Sequence, residues 1–143
     1  MKTIVTGVDG SPTAARAAER AAALAEALGA RLHVICAYER LEVERLRQGS
    51  EELVRSTEEQ ARRTAVEEVR ALQARHQALV LRSDAVEGKP GEVLVQVAER
   101  LDAEVIVVGN KRVQGFARVL GSIARDVASR AHCDVYVAHT HER

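Results

Sequence analysis

The sequence predicts a doubly wound α/β domain, a five-stranded parallel sheet with helices on both faces in the order β-α-β-α-β-α-β-α-β. Three observations predict it. Short apolar runs alternate with longer stretches of helical periodicity, and right-handed crossovers turn such alternation into a parallel sheet. The run Val105-Ile106-Val107-Val108 has no polar interruption, which suits a strand covered on both sides. Two Tyr, one Phe and no Trp leave Val, Leu, Ile and Ala to fill the core, a filling that suits a parallel sheet under Ala-rich helices.

The elements follow in order. Thr3–Val8 reads as a strand (Ile4, Val5, Val8) ended by Asp9-Gly10. Ser11 is placed to cap a helix and Pro12 to open it. That helix runs from Pro12 to Leu28, with Ala14, Ala18, Ala21, Ala25 and Leu28 on one stripe, and Gly29 as its carboxyl cap. Arg31–Ala37 is the second strand. Tyr38–Gly49 is rich in Glu and Arg and reads as an exposed connection or a short helix. A long helix follows over Ser50–His76, with Val54, Ala61, Ala65, Val69 and Leu72 on its apolar face. Ala78–Leu81 is expected as the third strand. Val86-Glu87-Gly88-Lys89-Pro90 turns into a helix whose buried face is Val93, Leu94, Val97, Ala98 and Leu101. Glu104–Val108 is the fourth strand. A glycine-containing loop spans Gly109 to Gly121. Ser122–Arg130 is the last helix, with Ile123 and Val127 four apart, and Val135–Ala138 the last strand.

The 143 residues suit one domain over 1–143, with no composition break, repeat or low-complexity linker. Twenty-one basic and 21 acidic residues cancel, so no broad field draws the chain to nucleic acid or an acidic membrane. Aromatic poverty also removes base-stacking platforms. No apolar run approaches a membrane span, and Met1-Lys2 leads straight into strand residues, so a cytoplasmic protein is expected. Cys36 and Cys133 lie far apart without metal-like spacing and are expected to behave as small apolar residues.

In a doubly wound sheet the ligand site lies beyond the carboxyl ends of the strands, where the strand order reverses. The loops after strands one and four are therefore the candidates, Gly7-Val8-Asp9-Gly10-Ser11 and Gly109 through Ser122. Gly121-Ser122 opens a helix, whose free N–H groups and dipole favour an anion. Gly109 would let a ligand approach the strand tip, and Lys111, Arg112 and Arg118 would offset phosphate charge. Equally, Gly121-Ser122 would serve as a plain helix start and the basic residues as solvated side chains. Asp9 has two readings: an acceptor for a ribose or base (or a group near a metal), or a carboxylate bonding the N–H groups of its own turn. Neither a P-loop nor a dinucleotide fingerprint is present, and no Ser/His/Asp set has motif support. His33 is expected in the core, and His139 and His141 in a polar tail rather than a metal site.

Val8-Asp9-Gly10-Ser11-Pro12, Glu87-Gly88-Lys89-Pro90, Ala103 through Asn110 with Leu120-Gly121-Ser122-Ile123, and Ala131 through Val137 together resemble the universal stress protein family, in the right order and over essentially the whole chain. The resemblance implies a five-stranded parallel sheet, a homodimer, and membership of a family in which some proteins bind ATP and others do not. The nucleotide-binding members carry Gly-x2-Gly-x9-Gly-[Ser/Thr]. Gly109 matches the first glycine and Gly121-Ser122 the last pair, but Arg112 stands at the second glycine and eight residues, not nine, separate it from Gly121. An arginine there either obstructs backbone approach or binds phosphate itself.

By the same matching, Asp9 would face the ribose or adenine, Gly7 and Val34 would line the base, and Val8 would flank them. Val108 and Gly109 would lie under ribose and phosphates, and Gly121, Ser122 and Ile123 would contact phosphate. The implied cofactor is ATP or a related adenine nucleotide, with or without Mg²⁺. The implied assembly is a homodimer through Val135–Ala138, with a protein partner the residues do not identify. A binding module is expected rather than an enzyme, since no general base is evident near the phosphates, and any ATP hydrolysis would be slow. The competing reading is a nucleotide-free dimeric interaction protein of the same fold.

Overall fold

The structure is a computed structural model that describes residues 1–39, 50–110 and 120–140. Its five strands are β1 (Thr3–Gly7), β2 (Arg31–Tyr38), β3 (Leu81–Glu87), β4 (Val105–Asn110) and β5 (Asp134–His139). The helices among the described residues are α1 (Pro12–Leu28), α2 (Ser50–Arg75), α3 (Pro90–Arg100) and α4 (Ser122–Arg130). All strands are parallel, in the order β3-β2-β1-β4-β5. The order reverses between β1 and β4, which fixes the switch point at the centre of the sheet.

Side-chain alternation divides the core into two layers. Ile4, Leu32, Val34 and Val107 face α1 and α2, packing with Ala18, Ala21, Ala65 and Leu72. Val5, Ile35, Ile106 and Val108 face α3 and α4, packing with Val93, Val97, Ala124 and Val127. The only fully buried hydroxyl among the strands' described residues, on Thr6, donates to the Val107 carbonyl at 2.9 Å and so costs no unpaired polar group.

The ends of α1 are set by local chemistry. The Ser11 hydroxyl accepts from the Ala14 N–H at 3.2 Å, Pro12 opens the first turn, and Gly29 closes the helix in the left-handed region (φ 65°). Alanine on the buried stripe lets α1 lie close to the sheet, but Leu28 at its end is 42% exposed, contrary to its place on the expected stripe. The α2 stripe buries Ala61, Ala65 and Leu72, with Val69 partly buried; the Val54 side chain and residues 40–49 of the expected connection lie outside the described residues.

The bounds of one strand require correction. The third strand begins at Leu81, where it was expected to end, and continues to Glu87. The apolar Leu79 and Leu81 are anchors buried in the core beneath the strand, whereas the strand itself lies at a sheet edge and exposes Arg82, Ser83 and Asp84. Edge strands need no continuous apolar run, so hydrophobicity marks the entry to β3 rather than β3. In α4 the buried residues are Ala124 and Val127, while Ile123 is 39% exposed.

Candidate functional site

β1 and β4 end side by side at the switch point, and α1, α3 and α4 start around them. These starts and ends enclose a cleft of about 280 Å³. Gly7, Val8 and Asp9 enter it from β1 and its turn, Val108 and Gly109 from β4, and Gly121, Ser122 and Ile123 from the start of α4. Residues 7–9, 108–109 and 121–123, far apart in the sequence, are thus brought together. Arg112, with Lys111 and Arg118, lies outside the described residues.

Val34 is the exception. It is fully buried in the layer under α1 and α2, on the far side of the sheet from α3 and α4. Its neighbours Ile35 and Ala37 line the cleft instead. The error is one of parity. Successive strand side chains point to opposite faces, and β2 is apolar on both, so its residues alone do not tell which set faces the cleft.

Sequence reasoning also missed Thr13 and Ala14 from α1, and Pro90, Val93 and Leu94 from α3. Pro90 had a usable signal, since it opens a helix after a strand and so must sit at the carboxyl edge of the sheet. Gly7 gives Leu94 its place: a Cβ on Gly7 would lie 3.2 Å from both Leu94 methyl carbons.

Asp9 is exposed at the rim, and its Oδ1 accepts the Ser11 N–H at 2.9 Å. That bond forms the turn in which Gly10 takes φ 86°, a conformation that disfavours side chains. The carboxylate thus organises its own turn while lining the cleft.

Gly109 has a different reason for being glycine than ligand approach. A Cβ there would meet Thr140 Cγ2 at 3.2 Å, Thr13 Cγ2 at 3.4 Å and Ala17 Cβ at 3.5 Å. Its missing side chain therefore makes room for α1 and for the carboxyl end of β5. Thr140 is held there by its hydroxyl, which donates to the Asn110 carbonyl at 3.0 Å, and by its own carbonyl, which accepts from Arg16 at 2.8 Å.

α4 begins with Gly121 in an extended conformation (φ −64°, ψ 165°) and has no side-chain cap. That start lies at the cleft, and among the described residues no side-chain cap is bonded to it; free N–H groups at a helix start attract an anion. No acidic side chain occupies that first turn.

The two thiols are free. Burial, and secondarily the Asp9 charge, push the Cys36 thiol up; burial and Asp134 do the same at Cys133. Both are held in the unreactive thiol form, matching the expectation of small apolar residues. His33 is half-buried on β2 and does not line the cleft; burial, then the Arg31 charge, lowers its pKa below the usual histidine value. Among the described residues no cluster of three or more His, Cys, Asp or Glu is arranged for a metal ion, and no helix is long and apolar enough to cross a membrane. His141 lies outside the described residues.

The sheet order and the cleft at its reversal define a doubly wound α/β domain with a pocket at the topological switch point. The sequence signature of the universal stress protein family matches residues 1–139. A universal stress protein of Thermus aquaticus is 35% identical over 139 residues, spanning 94% of this chain and 96% of the relative. Another, from Mycobacterium tuberculosis, is 32% identical over 154 residues and 97% of each chain. The crystal structure of a universal stress protein in complex with cAMP superposes with a TM-score of 0.72 at 29% identity, over 98% of both chains. The chain belongs to the universal stress protein family.

Proposed function

We propose that this universal stress protein is an adenine-nucleotide-binding module that takes ATP or a related nucleotide in the switch-point cleft. The observation that carries the reading is the uncapped start of α4, whose amides open onto an otherwise largely apolar cleft. One end of the cleft suits an anion; the walls of Ile35, Ala37, Val93 and Leu94 suit a flat apolar base. Gly121, Ser122 and Ile123 hold phosphate by N–H and hydroxyl bonds, and Val108 and Gly109 lie beneath the ribose. Asp9, with one oxygen engaged in its turn, offers the other to a hydroxyl or exocyclic amine. The relative bound to cAMP supports an adenine ligand. Any Mg²⁺ arrives on the phosphates, because the described residues supply no ligand cluster of their own.

The module works in the cytoplasm as a homodimer through Val135–Ala138 of β5. That strand is a sheet edge, and pairing with a second copy across a two-fold axis would cover its open backbone groups. It signals by shape or partner affinity rather than by turnover. One sequence observation favours the nucleotide-free alternative, Arg112 in place of glycine in a loop one residue short.

Heating the purified protein and identifying the released small molecules tests the reading, followed by calorimetric titration with ATP-Mg²⁺, AMP and cAMP. An adenine nucleotide in the supernatant or a saturable heat is expected; neither appearing would overturn it. Gly121→Val crowds the α4 amides, and removing such charge-assisted bonds is expected to weaken binding on the order of a hundredfold. A cooperative unfolding transition in that variant would show that the fold survives.

A further inference from the structure

Away from the cleft, the carboxyl end of α2 is tied to α1 through a histidine with both ring nitrogens engaged. His76 Nε2 lies 2.7 Å from Glu19 Oε1, and His76 Nδ1 lies 2.5 Å from Glu26 Oε1. The side chain is only 11% exposed. A neutral imidazole has one N–H and one lone pair, so it can donate to one carboxylate only and turns a lone pair on the other. Two carboxylate acceptors are satisfied together only by the imidazolium. We propose that His76 is a proton-operated latch, whose imidazolium bridges Glu19 and Glu26 of α1 to hold the end of α2 in place and whose loss of that proton releases it.

The surroundings reinforce the charge state. From α2, Arg75 donates to Glu19 through Nε at 3.1 Å and Nη2 at 2.9 Å, and Glu68 lies within the field of both. The bond to Glu19 is the largest influence on His76 and raises its pKa above 6.5; burial opposes it, and the Glu26 bond adds to it. Burial by itself would raise Glu19, but the bonds from His76 and Arg75 outweigh it and the net shift is downward from 4.5. The two partners agree that the ion pair is the favoured state. His76 also stands just past the last turn of α2, where the helix dipole favours a cation.

What the latch closes is visible beside it. The Gln73 carboxamide lies 3.0–3.2 Å from the carbonyls of His76, Gln77 and Leu79, folding the chain back from α2 toward β3. This reversal is the part expected to loosen when the proton leaves.

The sign follows from linkage. A histidine raised in the folded state adds stability that is complete below its unfolded pKa and is lost as pH climbs through its folded pKa. Glu19, lowered, adds stability that is lost as pH falls through its own folded value. Glu68 is raised by burial, so it also loses stability with rising pH, but in the carboxylate range.

The test is an NMR titration of the histidine rings in the full chain, paired with urea unfolding at pH 6 and pH 8.5. His76 is expected to titrate above 6.5, and in Glu26→Gln its midpoint should fall by about one unit. Wild-type protein should lose more stability between pH 6 and pH 8.5 than His76→Gln does. The latch is refuted if His76 titrates at or below 6.5, or if its midpoint is unmoved by Glu26→Gln. An equal pH-dependent loss in His76→Gln would refute it as well. Should His76→Gln not fold, the Glu26→Gln titration decides alone.

Discussion

At the scale of single residues, the glycines of the cleft divide by what they avoid. Gly109 reads from the sequence as the place where a ligand nears the backbone, yet its absent side chain belongs to the contact with Thr13, Ala17 and Thr140. Thr140 cannot yield cheaply, being buried and bonded to Asn110. Gly109→Ala is therefore expected to cost about 1–3 kcal/mol of stability through overpacking, read from urea unfolding. If stability were unchanged, the glycine would owe its place to a ligand after all. Val34 and Ile35 show where residue-level reading stops. Both are apolar, both belong to β2, and only the pleat of a folded sheet assigns one to the α1 side and the other to the cleft. Asp9 was legible as a turn carboxylate, and its bond to Ser11 has that geometry.

Elements were easiest to read where their ends carry chemistry of their own. α1 and α4 start and stop at the residues expected, and α3 starts at Pro90, because Ser11, Pro12, Gly29 and Pro90 act locally. Ser11→Ala should remove the one side-chain cap of α1 and lower stability by about 1 kcal/mol, measured as a shifted urea midpoint. No shift would mean that the Asp9 turn alone suffices to start the helix. β3 was misplaced because its signal is not local. It is a strand through pairing with β2 from Leu32↔Leu81 to Tyr38↔Glu87, and its own residues are mostly exposed. Tertiary pairing of that kind overrides pattern.

On the scale of the whole molecule, alternation of strand and helix implied a doubly wound sheet, and the strand order placed the cleft at its reversal. The order also leaves β5 at one edge with Tyr136 39% exposed. If that edge joins two copies, Tyr136→Lys places a charge where strands would meet and should shift sedimentation from dimer to monomer. A wild-type monomer, or a variant that stays dimeric, would remove β5 as the interface. Charge at this scale is balanced overall but not evenly used. His33, with its pKa lowered by burial and by Arg31, gains the fold stability as pH rises through 6.5, opposite in sign to His76. Only the difference between wild type and His76→Gln isolates the latch.

The central position of β1 sets the timing of assembly. β1 waits for a neighbour encoded about a hundred residues later, and the Thr6–Val107 bond, spanning 101 positions, closes that gap. Contacts of such long range are slow to form and come late on the folding path. A chain still emerging from the ribosome can pair β1 with β2 but has no β4 and no α4, so it has no pocket. If the cleft takes a ligand as proposed, its occupancy would report that synthesis has passed α4.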